Sequence, residues 1–161
     1  MHTRGRPNEW ANLSPLPDPV AVVCRELSAI AQSAQALGIA HERVVLDPGF
    51  GFGKRGDENY VLLAHFAHFA ELGFPLLSAP SRKGFLGRTV AERLEKLGAQ
   101  FLPAGGRSGF ASSGSQPSDR LNATLAAITA SVLQGAHIVR VHDVRPAVEA
   151  VTIADAILAA E

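Results

Sequence analysis

Val44 to Lys54 reads VVLDPGFGFGK: an apolar run ends in a carboxylate, a proline stops it, and alternating glycines lead to a lysine. Val44, Val45 and Leu46 are apolar without alternation, the pattern of a strand buried on both faces in a parallel sheet. That strand delivers Asp47 to a ligand. Gly49, Gly51 and Gly53 remove side chains where a backbone turns sharply or approaches a bound molecule closely. Phe50 and Phe52 lie between them, and for both, burial in a core is a stronger reading than stacking on a flat ligand.

Outward from this stretch the chain repeats one kind of unit. Asp18 and Pro19 make an N-cap and first helical residue, and Val23, Leu27, Ile30, Ala34 and Leu37 recur at helical spacing up to Gly38. After Lys54, Asp57 and Glu58 open a helix whose apolar face is Tyr60, Leu63, Ala67 and Ala70, running toward Gly73. Phe74 to Ala79 is a second strand that empties into Pro80, Ser81, Arg82 and Lys83. A helix over Asp119 to Leu133 leads to a third strand, Ala136 to Val141, followed by His142 and Asp143, and a last helix begins near Pro146. Met1 to Pro17 reads as loop. Glu92 to Ser118, with GGRSGFASSGSQPS in its middle, reads as a flexible insertion or loop within the domain and carries no assigned chemistry. This is βα alternation with a parallel sheet, whose ligands bind beyond the carboxyl ends of the strands. Asp47, Ser81, Arg82, Lys83, Arg140 and His142 gather there.

The 161 residues suffice for one domain with a sizeable core. Lys plus Arg and Asp plus Glu are 15 each, so no global field draws the chain to nucleic acid or an anionic membrane, and any anion site is local. The single cysteine, Cys24, makes no intrachain disulfide and fits a reducing compartment. No apolar run approaches the roughly 20 residues of a membrane helix, and MHTRGRP lacks a signal peptide's apolar segment, so a cytoplasmic protein is expected.

Arg82, Lys83, Arg140 and His142 supply donors for a phosphate or diphosphate at neighbouring strand ends, although any one alone reads as a solvated strand terminus. Asp47 suits a ligand presenting two parallel N–H groups, such as an aminopyrimidinone edge; capping the following turn is nearly as good a reading. His142 is a diphosphate donor when protonated or an ordinary hydrogen-bonded histidine beside Asp143. His41, His65, His68 and His137 lack metal-ligand spacing with a third partner, so no protein-only metal site is expected. Ser81 has no evident general base in sequence, which weakens a nucleophile reading. Gly51, Gly53 and Gly56 satisfy G-x-G-x-x-G, with Glu71 about 20 residues on. Asp47 and Pro48 intervene between strand and glycines, however, and Glu71 precedes the next strand where the ribose-binding acid should follow it. A phosphate-binding P-loop fails as well, with Pro48 at its first glycine position and Arg55 at its Ser or Thr position.

MHTRGRP at Met1 to Pro7, LDPGFGFGK at Leu46 to Lys54, SRKGFLG at Ser81 to Gly87 and GAHIVRVHDV at Gly135 to Val144 together resemble the C-terminal half of the dihydropteroate synthase family. The resemblance implies an α/β fold of the (β/α)8 TIM-barrel type, of which this chain is about strands five to eight with their helices. It implies a transferase of folate biosynthesis that condenses p-aminobenzoate with (7,8-dihydropterin-6-yl)methyl diphosphate, giving 7,8-dihydropteroate and diphosphate, with Mg2+ and in a homodimer. Asp47 would meet the pterin's amino and ring N–H groups, and Lys83 its carbonyl and ring-nitrogen side. Met1 would line the pterin pocket and Phe52 the p-aminobenzoate side. Ser81 and Arg82 would help place p-aminobenzoate, while Arg140 and His142 hold the diphosphate. Lys83, Arg140 and His142 carry the catalytic roles, and no metal ligand falls within the chain.

Two departures stand out. Ala79 occupies the position where the family commonly has a glycine before its Ser-Arg-Lys. Met1 falls inside the family's fifth strand, so the first four βα units are lacking, and a longer gene product or a second chain completing the barrel is expected. The alternatives are a non-catalytic fragment that binds pterin or phosphate, and a pterin-binding methyltransferase.

Overall fold

The computed structural model describes residues 1–97 and 120–160. Helix α1 (Pro19–Ala36) starts as its sequence dictates: the Asp18 side chain accepts from the Ala21 N–H at 3.0 Å, and proline holds the first helical position. It buries Val23, Leu27 and Ala31, whereas Ile30 and Leu37, although on the apolar period, face solvent. Helix α2 (Gly56–Ala64) is shorter than its period suggested, because His65 breaks it and a 3-10 helix over Phe66–Leu72 takes the chain to Gly73. That tightening turns Phe66 and Phe69 into the core, where they pack beside Phe50 and Leu62.

Strand β1 (Leu77–Ser78) pairs in parallel with β2 (Ile138–Val139), Leu77 opposite Ile138 and Ser78 opposite Val139. Leu46 joins the other side of β1 through a single parallel bridge to Leu76, its N–H donating to Pro75 O (2.9 Å) and its carbonyl accepting from Leu77 N–H (2.8 Å). The Asp47 carbonyl points the opposite way and accepts from His2 N–H at 2.8 Å, which lays the N-terminal segment along the far side of Leu46 and Asp47. All three expected strand segments therefore lie side by side in parallel, but regular pairing is confined to two residues in each of β1 and β2.

The (β/α)8 TIM barrel expected from the resemblance is corrected here: the sheet is two-stranded and unclosed, and helices make up most of the structure. Closing a barrel requires strands enough to tilt and stagger back onto the first one, and two strands with a flanking bridge cannot do so.

Helix α3 (Gly84–Leu97) was not anticipated; the glycines at its start and the insertion composition beyond it masked a helical run that buries Phe85 and Leu86. It takes in the first part of the 92–118 stretch, and the remainder of that stretch lies outside the described residues. Helix α4 (Leu121–Leu133) is fixed to the sheet by Ser131, whose hydroxyl meets Ser78 Oγ at 2.7 Å in the buried interior. Helix α5 (Val144–Leu158) packs on α4 through Ala147 and Ala154 and leaves Val144, Val148, Ile153 and Ile157 exposed. Among the described residues no helix is long and apolar enough to cross a membrane.

Candidate functional site

The turn after Leu46 is built from inside. Asp47 is buried, and its Oδ1 accepts from the Gly49 N–H at 2.7 Å, while Oδ2 accepts no hydrogen bond among the described residues. Asn59, on α2 and buried, receives the Gly51 N–H on Oδ1 (2.6 Å) and donates from Nδ2 to the carbonyls of Lys54 (3.2 Å) and Arg55 (2.6 Å). Lys54 folds back beneath the turn and donates to Gly49 O at 2.7 Å and Phe52 O at 3.5 Å. Phe50 is wholly buried against Phe66 and Phe85. Phe52 is different: it is half-buried, lies edge-on to Trp10 with centroids 5.6 Å apart, and carries the Lys83 ammonium 3.9 Å above its ring. Met1 is half exposed, close to Gly49.

At the end of β1 the chain enters a left-handed residue, Arg82 (φ +56°), a conformation that costs a non-glycine residue about 1 to 3 kcal/mol. The surroundings hold it there: Arg82 N–H donates to Thr124 Oγ1 (3.0 Å), and its carbonyl accepts from Arg120 Nη1 (2.8 Å). The Arg82 guanidinium grips the Asp143 carboxylate with two bonds of 3.1 and 2.7 Å, which holds that carboxyl below its ordinary range. Beside it Ser81 Oγ lies 2.9 Å from His142 Nδ1 and accepts the His142 backbone N–H at 3.2 Å, while Arg140 Nη1 is 3.3 Å from His142 Nε2. A guanidinium only donates. Nε2 is therefore the acceptor in the neutral ring, Nδ1–H donates to Ser81, and the serine's own proton is left for a bound molecule. Ser81 thus gains a histidine partner that sequence did not reveal, but the polarity makes it a donor and not an activated nucleophile.

Electrostatically the two ends of this surface differ. Burial pushes the Asp47 carboxyl above its usual range, against the pull of the Gly49 N–H and the charges of the amino terminus, Lys54 and Lys83. Burial lowers Lys54 to about 8 and lowers Lys83 as well, with Asp47 opposing both. A buried carboxylate and a half-buried ammonium that rests on the Phe52 ring thus sense each other's charge, and Ser81, Arg140 and His142 lie on the neighbouring segments. This arrangement can receive a flat, hydrogen-bonding heterocycle carrying an anionic group.

The family described as Pterin binding enzyme matches residues 1–142. The chain belongs to the pterin-binding enzyme family. It is 40% identical over 162 aligned residues to dihydropteroate synthase from Escherichia coli strain K12, covering 100% of this chain and 49% of that protein. Dihydropteroate synthase from Neisseria meningitidis serogroup B is 35% identical, over 98% of this chain and 48% of that protein. Among solved structures, the Yersinia pestis dihydropteroate synthase in complex with a sulfonamide drug superposes with a TM-score of 0.82 at 31% identity, over 100% of this chain and 50% of that one. The chain spans about half the length of the curated relatives it matches. The resemblance read from the four sequence motifs is thereby borne out.

For a pterin-binding enzyme the structure brings together most of what sequence named and redirects one residue. Asp47, Phe52 and Lys83 converge, as do Ser81, Arg140 and His142, but the Arg82 side chain is turned to Asp143. Lys54, Asn59 and Trp10, which build the turn, were not singled out as functional. The FGFGK run carried the one available signal, a lysine directly after a glycine turn that needs tying down. Metal-binding character, taken as a property of this chain, is corrected. Among the described residues no group of three or more His, Cys, Asp and Glu side chains could hold a metal ion. These donors therefore do not make up a metal site.

Proposed function

We propose that this chain supplies the pterin- and p-aminobenzoate-recognising part of a dihydropteroate synthase, a cytoplasmic transferase of folate biosynthesis. One observation carries the reading: the buried Asp47 carboxylate and the Lys83 ammonium over Phe52 stand at the ends of adjacent parallel segments. A carboxylate with one oxygen free of described hydrogen bonds is the complement of an aminopyrimidinone's paired N–H groups. Lys83 completes the pterin's opposite edge. The Xanthomonas albilineans dihydropteroate synthase solved with 7,8-dihydropteroate, 34% identical over 89% of this chain, supports the same ligand class.

In this reading Arg140, and His142 in its protonated form, bind the diphosphate and stabilise the negative charge that develops on it as its bond to the pterin methylene breaks. The electron-rich dihydropterin shares the positive charge left behind. The aniline nitrogen of p-aminobenzoate, neutral near pH 7, then attacks and the acidic N–H proton of the resulting anilinium passes to water, so placement of the amine by Ser81 and Phe52 matters more than a strong base. The Arg82 guanidinium contributes through Asp143, by fixing the Ser81 to Lys83 turn. Mg2+, implied by the family resemblance, would be held by the half of the relatives' length that this chain does not span. A homodimer is part of the proposal, supported by the exposed Val144, Val148, Ile153 and Ile157 of α5.

Arg140→Ala tests the assignment. Calorimetric titration with dihydropterin methyl diphosphate should show an affinity loss of about tenfold or more, the value of one or two charged hydrogen bonds. Hydroxymethyl dihydropterin, which lacks the diphosphate, should bind unchanged. Equal losses for both ligands would remove Arg140 from the diphosphate site.

A further inference from the structure

Lys54 is a buried titratable group to which the proposed reaction gives no part. The residue is only 6% exposed, yet none of its described hydrogen bonds goes to a carboxylate; it donates to two backbone carbonyls, Gly49 O and Phe52 O. Gly49 is the residue whose N–H engages Asp47, and Phe52 bears the ring on which Lys83 rests. The turn's own backbone ties, Phe52 N–H to Gly49 O at 3.2 Å and Gly53 N–H to Gly51 O at 3.0 Å, are longer than the 2.7 Å lysine bond. A glycine-rich turn has much conformational entropy to lose, and a single ammonium reaching two of its carbonyls removes much of it.

We propose that Lys54 is a positioning residue of the pterin site, a protonation-dependent clasp that fastens the Gly49 to Phe52 turn from beneath and so holds the Asp47 carboxylate and the Phe52 ring in register for the ligand. The proposal rests on the pterin reading above. Lys54 faces Asp47 at the strand end, Arg4 and His2 of the N-terminal segment, Glu58 of α2 and Glu26 of α1. Arg4 and burial oppose its charge, whereas Asp47, Glu58 and Glu26 favour it, and the balance leaves it titrating at about 8. Without its third proton the nitrogen still donates, but weakly, and the carbonyls lose their charged partner. The turn is then free to move, and Asp47 with it.

Nuclear magnetic resonance on the intact chain tests this without any variant. The Gly49 and Phe52 amide signals should titrate together with a midpoint near 8. Gly49 amide exchange, corrected for its intrinsic pH dependence, should accelerate by about tenfold across that midpoint as a charged hydrogen bond is lost. Lys54→Met should abolish the titration and weaken hydroxymethyl dihydropterin binding by about tenfold or more, with inorganic diphosphate affinity unchanged. Lys54→Arg, charged at every pH used, should restore pterin affinity. The ratio of its affinity to that of the wild type should rise above pH of about 8, a comparison in which the pterin's own ionisation cancels. Amide signals that pass pH 8 unmoved, or Lys54→Met binding pterin as the wild type does, would overturn the clasp. A wild-type chain that shows the titration but binds no pterin would instead overturn the pterin reading and leave the clasp standing.

Discussion

Asp47→Asn should lower pterin affinity by at least about 100-fold, because it exchanges a charged acceptor of two N–H groups for an amide that presents a donor to one of them. The amide keeps a carbonyl oxygen for the Gly49 N–H, so the 2.7 Å bond that shapes the turn has a replacement. Stability should move the other way. Burial raises the Asp47 carboxyl above its ordinary value of 3.8, so the folded chain binds this proton more tightly than the unfolded chain does. The stabilisation this gives is present below pH 3.8 and is lost as pH rises through the folded value. At neutral pH the ionised carboxylate is a burden to the fold, and the asparagine variant should melt no lower than the wild type. Calorimetric titration with hydroxymethyl dihydropterin, paired with thermal unfolding at neutral pH, separates the two effects. Pterin binding within a few-fold of wild type would end the role given to Asp47.

Gly49→Ala should cost about 3 kcal/mol or more in folding free energy. Its φ of +71° is one L residues rarely adopt, and an added Cβ would fall on the His2 carbonyl oxygen and within 3.3 Å of Met1 Cγ. Relief requires the N-terminal segment to leave Asp47, breaking the 2.8 Å His2 N–H bond. Gly51→Ala is the control: its φ is +81°, but its Cβ would meet only the flexible Lys83 side chain, Cδ at 3.4 Å and Cε and Nζ at 3.9 Å. That variant should lose about 1 to 2 kcal/mol, the backbone strain alone. Urea denaturation of the two variants measures the difference. Equal losses would mean that the N-terminal segment does not press on the turn.

The local chemistry of this chain was legible because it is written in adjacent residues. Asp18-Pro19 fixed the start of α1, Gly73 and Gly135 marked real stops, and the polar residues after each apolar run proved to lie at the ends of parallel segments. Pairings between residues 61 apart were not legible. The Ser81 to His142 bond and the Arg82 to Asp143 pair depend on how β1 and β2 register, which no local pattern encodes. Nor could spacing show that Arg82 would take a left-handed conformation, since Thr124 and Arg120, far along the chain, hold it there. Barrel closure failed as an inference for a related reason. It depends on the number of strands available, and three apolar runs each looked strand-like without saying how few residues would pair.

The unclosed sheet has a colloidal consequence. Among the described residues β2 has no neighbour on its outer side, and Ile138 is exposed there, so a strand edge with an apolar residue faces solvent. Such an edge invites another backbone to add to it. The two-residue length of β2 and the Arg140 charge beside it are its local protection. Formal net charge is zero at pH 7 with an isoelectric point near 7.0, so no mutual repulsion keeps molecules apart at neutral pH. Solutions of this chain are therefore least dispersed near pH 7, inside the range in which Lys54 carries its charge.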